Sequence, residues 1–287
     1  MKQITVISGK GGTGKTALSA SFAALAENKV TVDCDVDAAN LHLLLQPDIR
    51  QKREFKGGMK ARTDPNRCSR CGLCRDVCKF EAVSEDFRID LTDCEGCGLC
   101  VRVCPEKAIE MIEIVSGEWF VSETRYGPFV HAKLGVAEGN SGKLVAVIRE
   151  AAREMAEKQN REFVIIDGPP GIGCPVIASL SGADLAVVVT EPTLSGIHDM
   201  KRVLSLACHF GIPAGIVVNK YDLNSENTGA IESFSKEHGL EVIGRIPFSP
   251  EVSRAIVQGV PPVEFCRDGV RTEIISIWEK LQRSLRS

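Results

Sequence analysis

Eight of the chain's twelve cysteines fall between Cys68 and Cys104, while Cys34, Cys174, Cys208 and Cys266 are scattered. Thiolates are soft ligands, and cysteines this dense in a reducing compartment point to metal rather than to a disulfide framework. A second chemistry lies upstream, where Gly9-Lys10-Gly11-Gly12-Thr13-Gly14-Lys15-Thr16 satisfies G-x-x-x-x-G-K-[ST]. In that pattern Gly11, Gly12, Thr13 and Gly14 turn backbone N–H groups toward phosphates. Lys15 neutralises the β and γ oxygens, and Thr16 sets its hydroxyl on Mg2+.

The cysteine spacing is Cys68-x2-Cys71-x2-Cys74-x3-Cys78, then Cys94-x2-Cys97-x2-Cys100-x3-Cys104-Pro105. At an offset of 26 the first run maps onto the second, with Gly72, Leu73, Val77 and Ala82 matched by Gly98, Leu99, Val103 and Ala108. Two copies are too few for a solenoid, so the repeat reads as a duplicated metal-binding unit. Zinc also takes all-thiolate sites, but three closely spaced cysteines followed by C-x3-C-P are not finger or ribbon spacing. The runs resemble those of bacterial ferredoxins, with Lys79 standing where the first run would carry proline. That resemblance implies two [4Fe-4S] clusters with crossed ligation. One takes Cys68, Cys71, Cys74 and Cys104; the other takes Cys94, Cys97, Cys100 and Cys78.

Three further stretches supply groups that a phosphate site needs. Asp33-Cys34-Asp35-Val36-Asp37 sets carboxylates at alternate positions, and Asp35 is the first candidate to orient an attacking water. Phe163-Val164-Ile165-Ile166-Asp167 is a buried-strand pattern ending in an acid before Gly168-Pro169-Pro170-Gly171, which suits Asp167 to a hydrated Mg2+. Ile216-Val217-Val218-Asn219-Lys220-Tyr221-Asp222 admits two readings: N-K-x-D recognition of guanine through Asp222, or an asparagine set against adenine.

Lys10 gives the glycine loop the form K-G-G-x-G-K-T, which resembles the loop of the MinD, ParA, Mrp and nitrogenase iron-protein ATPases. The resemblance implies an ATPase in which Lys10 contacts the partner subunit's nucleotide across a homodimer interface. It implies catalytic roles for Lys10, Lys15, Asp35 and Asp167. The base pocket would combine Asn219 with the backbone of Gly244-Arg245-Ile246-Pro247-Phe248, including Pro247, and this favours ATP or ADP with Mg2+ over a guanine nucleotide. Joined to the clusters, it implies nucleotide-dependent electron transfer to an unknown redox partner. The alternatives are an Mrp-like carrier that hands clusters to an apoprotein acceptor and a MinD- or ParA-like positioning switch. Ligation by four thiolates holds each cube tightly, which favours electron transfer.

These groups need a scaffold, and apolar runs at 4–7, 163–166, 185–189 and 214–218 predict one. Each precedes a Gly- or Pro-bearing turn and a helical stretch, the pattern of strands buried on both faces of a parallel sheet. The expected fold is an α/β P-loop domain with a mostly parallel sheet and helices on both faces, formed by residues 1–60 and 117–287. A small ferredoxin-like α+β domain at 61–116 interrupts it. The polar stretch 51–65 reads as a strand-poor connection. Ile274, Ile277, Trp278, Leu281 and Leu285 predict a helix packed on the sheet. Thirty-five basic against 38 acidic residues give a net charge of -3, so no global cationic surface is available. No apolar run is long enough to span a bilayer. A cytoplasmic protein with neither nucleic-acid nor membrane partners is expected. Cys174 reads as a small buried residue in a tight turn, with a subunit-bridging metal as the alternative. The stretch Trp119 to Asn140 has no assigned chemistry, and His131 within it reads as structural.

Overall fold

The computed structural model describes residues 1–135, 139–267 and 269–286; Glu138, named in the unassigned stretch, lies outside the described residues. In chain order the elements are β1 (Lys2–Ser8), α1 (Lys15–Leu25), β2 (Lys29–Asp33), α2 (Leu41–Leu45), β3 (Asp48–Thr63), α3 (Leu73–Asp76) and α4 (Leu99–Val103). They continue through β4 (Ile109–Thr124), β5 (Gly127–Leu134), α5 (Ser141–Lys158), β6 (Phe163–Pro170), α6 (Cys174–Leu180), β7 (Leu185–Thr190) and α7 (Leu194–His209). The remainder is β8 (Ala214–Asn219), α8 (Ser225–Glu237), β9 (Glu241–Ile246), α9 (Pro250–Val257), α10 (Pro262–Phe265) and α11 (Gly269–Arg286). The strands form one sheet in the order β3-β4-β5-β2-β6-β1-β7-β8-β9, and from β5 to β9 every neighbouring pair is parallel.

Strand residues point alternately to opposite faces, and here both faces are apolar. Leu185, Val187, Val189 and Val217 enter a core with Leu18 and Phe22 of α1 and Ile274, Ile277 and Trp278 of α11. Their sequence neighbours Ala186, Val188, Ile216 and Val218 enter a second core with Val176 of α6, Met200 and Val203 of α7 and Ile231 of α8. Helices therefore cover both faces, which is why these strands read as continuous hydrophobic runs. The expected terminal helix is α11, whose Trp278 ring lies 5.4 Å from Phe22 and 5.6 Å from Phe163. A Cβ on Gly244 of β9 would fall 2.2 Å from Ile277 Cγ1, so glycine is what lets α11 approach the sheet. Among the described residues no helix is long and apolar enough to cross a membrane.

Two compact units divide the chain. One comprises Met1–Arg53, Trp119–Lys133 and Ser141–Ser287; the other comprises Glu54–Glu118 and Leu134–Asn140. The reading of 51–65 as strand-poor is corrected, because the 16-residue strand β3 (Asp48–Thr63) covers all of it but the last two residues. Its first seven residues are all exposed and it ends the sheet order, so its Lys and Arg side chains are those of an edge strand, which carry no alternation signal. The unassigned stretch after Trp119 folds as the end of β4, a turn and β5.

In the smaller unit the sequence duplication is also a backbone duplication. α3 and α4 start at equivalent residues, Leu73 and Leu99. The left-handed residues recur as well: Arg70 (φ 58) with Gly96 (φ 66), Gly72 (φ 88) with Gly98 (φ 72), and Glu81 (φ 54) with Lys107 (φ 48). Ala61, Cys74, Val83 and Ile109 form its small core, with cysteines packed around them.

Candidate functional site

The glycine loop links the end of β1 to the start of α1, and Gly14 is the residue that caps the helix. Its φ of 89 lies in the left-handed region, and a Cβ there would sit 2.3 Å from Asn219 Nδ2, so glycine is required twice over. Asn219, at the end of β8, donates that Nδ2 to the Thr13 carbonyl at 2.8 Å and so ties the loop to the sheet. No acidic residue lies in the first turn of α1, which leaves the positive helix end available to an anion.

Lys15 is 6% exposed, and its Nζ lies 3.3 Å from Asp167 Oδ1 and 3.6 Å from Asp35 Oδ2. Burial alone would lower its pKa, but Asp167, Asp35 and Asp33 outweigh burial and hold the ammonium charged. Thr16 is half-buried beside it, with its hydroxyl 3.4 Å from Lys15 Nζ. Asp167 on β6 is fully buried, accepts from Ser19 Oγ at 2.8 Å through Oδ1, and leaves Oδ2 buried without a protein partner. Thr13 Oγ1 is likewise buried and unpartnered. Hard oxygen donors with unmet bonding capacity, Asp167 Oδ2 and Thr13 Oγ1, fit a hydrated Mg2+.

Two residues of this cluster carry roles that sequence reasoning did not assign. Asp33 pairs in register with Asp167 across β2 and β6. It is fully buried, and burial, followed by the Asp167 carboxylate, pushes its pKa up to about 8. Its two oxygens accept from the backbone N–H groups of Asp35 and Leu41, each at 3.1 Å, so it holds the segment that carries Asp35. Burial also raises the Asp35 carboxyl. Ser19 lies one helical turn beyond Lys15 and shares its face of α1; that i, i+4 spacing was the available signal.

Lys10 points elsewhere. Its Nζ donates to Thr193 Oγ1 at 3.2 Å and Ser195 Oγ at 3.3 Å, and lies 3.7 Å from Glu191 Oε2. Glu191 also pairs with Lys220. Asn219 and Ile246 are register partners at the ends of β8 and β9, which brings Asn219 and the half-buried Pro247 to the same end of the sheet. Asp222, the acid of the N-K-x-D reading, accepts the Phe248 N–H at 2.7 Å through Oδ1.

His131 on β5 stacks between aromatic neighbours, with ring centroids 4.7 Å from Phe129 and 4.9 Å from Phe120, and its Nε2 is 3.0 Å from Ser122 Oγ. Burial, then nearby His42, lowers its pKa to about 4.

In the cysteine unit the eight cysteines divide between two cavities. One, with about 330 Å³ of space between atoms, is lined by Cys68, Cys71, Cys74 and Cys104. The other, with about 360 Å³, is lined by Cys78, Cys94, Cys97 and Cys100. Cys104 Sγ accepts the Ala108 N–H at 3.3 Å, and Cys94 Sγ accepts the Ala61 N–H at 3.5 Å. No disulfide joins any of the described cysteines, and among the described residues no group of three or more His, Cys, Asp or Glu side chains gathers as a single-ion metal site. The reading of Cys174 as buried in a turn is corrected, because it is exposed as the first residue of α6; Cys208 is exposed on α7, whereas Cys34 and Cys266 are buried.

The family described as the CobQ/CobB/MinD/ParA nucleotide binding domain matches residues 4–263. An uncharacterized protein of Methanocaldococcus jannaschii is 36% identical over 98% of this chain and 96% of its own length. Among solved structures, the cell division ATPase MinD of Pyrococcus furiosus superposes with a TM-score of 0.63 at 18% identity, covering 98% of each chain. The septum site-determining protein MinD of Pyrococcus horikoshii, solved with Mg-ADP, gives a TM-score of 0.62 at 17% identity, covering 98% of this chain and 95% of its own. The glycine loop between β1 and α1, the parallel sheet that carries it and the match along 4–263 together establish that this chain belongs to the CobQ/CobB/MinD/ParA nucleotide-binding domain family.

Proposed function

We propose that this protein is a Mg2+-dependent, dimer-dependent ATPase whose nucleotide state governs electron transfer through two [4Fe-4S] clusters held in its cysteine unit. The observation that carries the reading is the division of the cysteines. Each cavity draws three from one run and the fourth from the other, Cys104 joining Cys68, Cys71 and Cys74, and Cys78 joining Cys94, Cys97 and Cys100. Crossed ligation of two cubes requires that partition. A single ion needs its ligands gathered about one point, whereas a cube carries iron at four corners and spreads its thiolates apart. Four cysteines spread around each cavity suit a cube. The Ala61 and Ala108 N–H groups donate to the sulfurs of Cys94 and Cys104 and so orient them. When bound, such clusters supply one-electron storage.

On the nucleotide side, Lys15 and the loop N–H groups would hold the β and γ phosphates while Thr16 and Asp167 anchor Mg2+. Asp35, at 3.6 Å from Lys15, would orient the attacking water. Adenine is favoured over guanine because Asp222 is bonded to the Phe248 backbone. The MinD structure solved with Mg-ADP supports the same nucleotide and metal here. Lys10 would act in trans after leaving Glu191.

The test is anaerobic purification followed by iron and sulfide analysis and redox titration under ATP, ADP and no nucleotide. About eight irons and eight sulfides per chain are expected, with dye reduction rates that change with nucleotide and iron that stays bound. Stoichiometric zinc would sink the cluster assignment. Identical potentials and rates in all three states would defeat coupling, and ATP-dependent release of iron to an apoprotein would make the protein a carrier.

A further inference from the structure

The cysteine unit contains a third cavity, of about 400 Å³ and open to solvent, that neither cysteine set accounts for. Arg62, Arg70 and Arg88 line it together with the apolar side chains of Phe87, Ile89 and Leu91. It shares Thr63, Cys68 and Phe87 with the Cys68-Cys71-Cys74-Cys104 cavity, and Ile89 with the other. The Thr63 hydroxyl, in that shared wall, is buried and has no hydrogen-bond partner in the protein.

The charges are unbalanced. Asp86 is the one carboxylate in the lining and it pairs with Arg88 at 3.0 Å. Arg62 pairs with Glu110, outside the lining. Among the described residues Arg70 makes no ion pair within 4.0 Å. The backbone is also unusual there. Arg70 (φ 58) and Phe87 (φ 64) both hold left-handed conformations, and the second cysteine run uses Gly96 (φ 66) at the position equivalent to Arg70. Glycine adopts that conformation freely, whereas arginine is strained in it, and strained residues gather at ligand clamps.

We propose that this cavity binds a small ring-bearing organic anion of the flavin mononucleotide class. The arginine forks recognise its phosphate, and the apolar residues take its ring, a mixed lining typical of small-molecule sites of this size. Its use as an electron donor or acceptor beside Cys68 rests on the cluster reading above; the binding does not.

The experiment uses the anaerobically purified full chain with saturating Mg-ADP, so that the glycine loop cannot take the probe. Flavin mononucleotide and riboflavin are compared by equilibrium dialysis, with inorganic phosphate as a competitor. Flavin mononucleotide should bind about tenfold or more tightly than riboflavin, the ratio expected of a charge-assisted phosphate contact, and phosphate should weaken only the former. Arg70→Gln and Arg88→Gln should each bring the two affinities close together with iron content unchanged. Equal affinities in the natural protein, or binding untouched by both substitutions, would overturn the proposal. Full iron without discriminating binding removes the cavity's role and leaves the cluster reading standing. Arginine-dependent binding to a chain without iron keeps the cavity and removes the clusters.

Discussion

Ser19 and Asp167 are bonded at 2.8 Å in the buried heart of the nucleotide site, with Ser19 Oγ donating to Oδ1 while Oδ2 is left without a protein partner. Oδ1 also receives Lys15 Nζ at 3.3 Å, so one oxygen of the carboxylate is fixed by α1 and the other is left for a hydrated metal. If Asp167 anchors Mg2+ as proposed, Ser19 is a positioning residue that acts on the metal through it. Ser19→Ala should raise the Mg2+ concentration for half-maximal ATPase activity several-fold and cost about 1 kcal/mol of stability, the usual worth of a buried hydrogen bond. Ser19→Thr should restore both. Unchanged Mg2+ dependence in Ser19→Ala, measured beside a urea melt, would remove the positioning role.

The glycine loop, Asp167 within β6 and the two cysteine runs were legible in the sequence because each depends on local spacing. A loop that wraps phosphate must have its glycines and lysine at fixed offsets, and a cube needs three thiolates within seven residues. Ser19 and Asp33 were not legible as site residues, since their roles depend on register between β2 and β6 and on a helix face turned toward that register. β3 was missed for a different reason. An edge strand bonds through its backbone on one side only and tolerates charged side chains on both faces, so it leaves no periodic signature.

The two loop lysines should separate cleanly. Lys15 is buried among three carboxylates at the end of the glycine loop, and on the proposed reading it holds the phosphates, so Lys15→Ala should abolish nucleotide binding. Lys10 is held by Glu191, Thr193 and Ser195, so Lys10→Ala should leave binding within about twofold while lowering hydrolysis by roughly a thousandfold, the scale of a cationic finger acting in trans. Binding of a fluorescent ATP analogue and phosphate release at several protein concentrations measure the two effects. Natural turnover in Lys10→Ala would reject the trans contact.

Acid should weaken the fold through His131. Its pKa falls from 6.5 to about 4 on burial beside His42, so the unfolded chain takes up the proton first. The stability from keeping this ring neutral is complete above pH 6.5 and is lost as pH drops from 6.5 toward 4. The total is roughly 3 kcal/mol. Asp33 acts in the opposite sense, since its pKa is raised to about 8 and acid favours its buried neutral form. The comparison must therefore be made between the natural protein and His131→Gln. Urea melts at pH 7 and pH 5 should show a smaller loss in the variant, and equal losses would show that His131 is not the acid-sensitive group.

Gly244→Ala should destabilise the protein by about 1–3 kcal/mol, the range for overpacking a filled core. The added methyl group would meet Ile277 Cγ1 at 2.2 Å and Cδ1 at 2.5 Å, and Ile277 is fully buried between α11 and the sheet. The paired change Gly244→Ala with Ile277→Val removes one methyl group from the same space and should recover part of the loss. Thermal melts of the natural protein and the two variants test this, and a double variant no more stable than Gly244→Ala would place the strain elsewhere.

Crossed ligation predicts a pattern among pairs of cysteine substitutions that an uncrossed arrangement reverses. Cys71 and Cys104 line one cavity although they belong to different runs, whereas Cys94 and Cys104 share a run and line different cavities. Each cube needs all four of its thiolates, so a second substitution at the same cube removes little more iron, while one at the other cube removes the rest. Cys71→Ser with Cys104→Ser should therefore retain about four irons per chain, one intact cube. Cys94→Ser with Cys104→Ser should retain almost none. If each run instead closed its own cube, the Cys94 and Cys104 pair would keep four irons and the Cys71 and Cys104 pair would lose all. Iron and sulfide analysis of the anaerobically purified double variants reads the difference directly, and circular dichroism of the same samples shows whether each variant kept its fold.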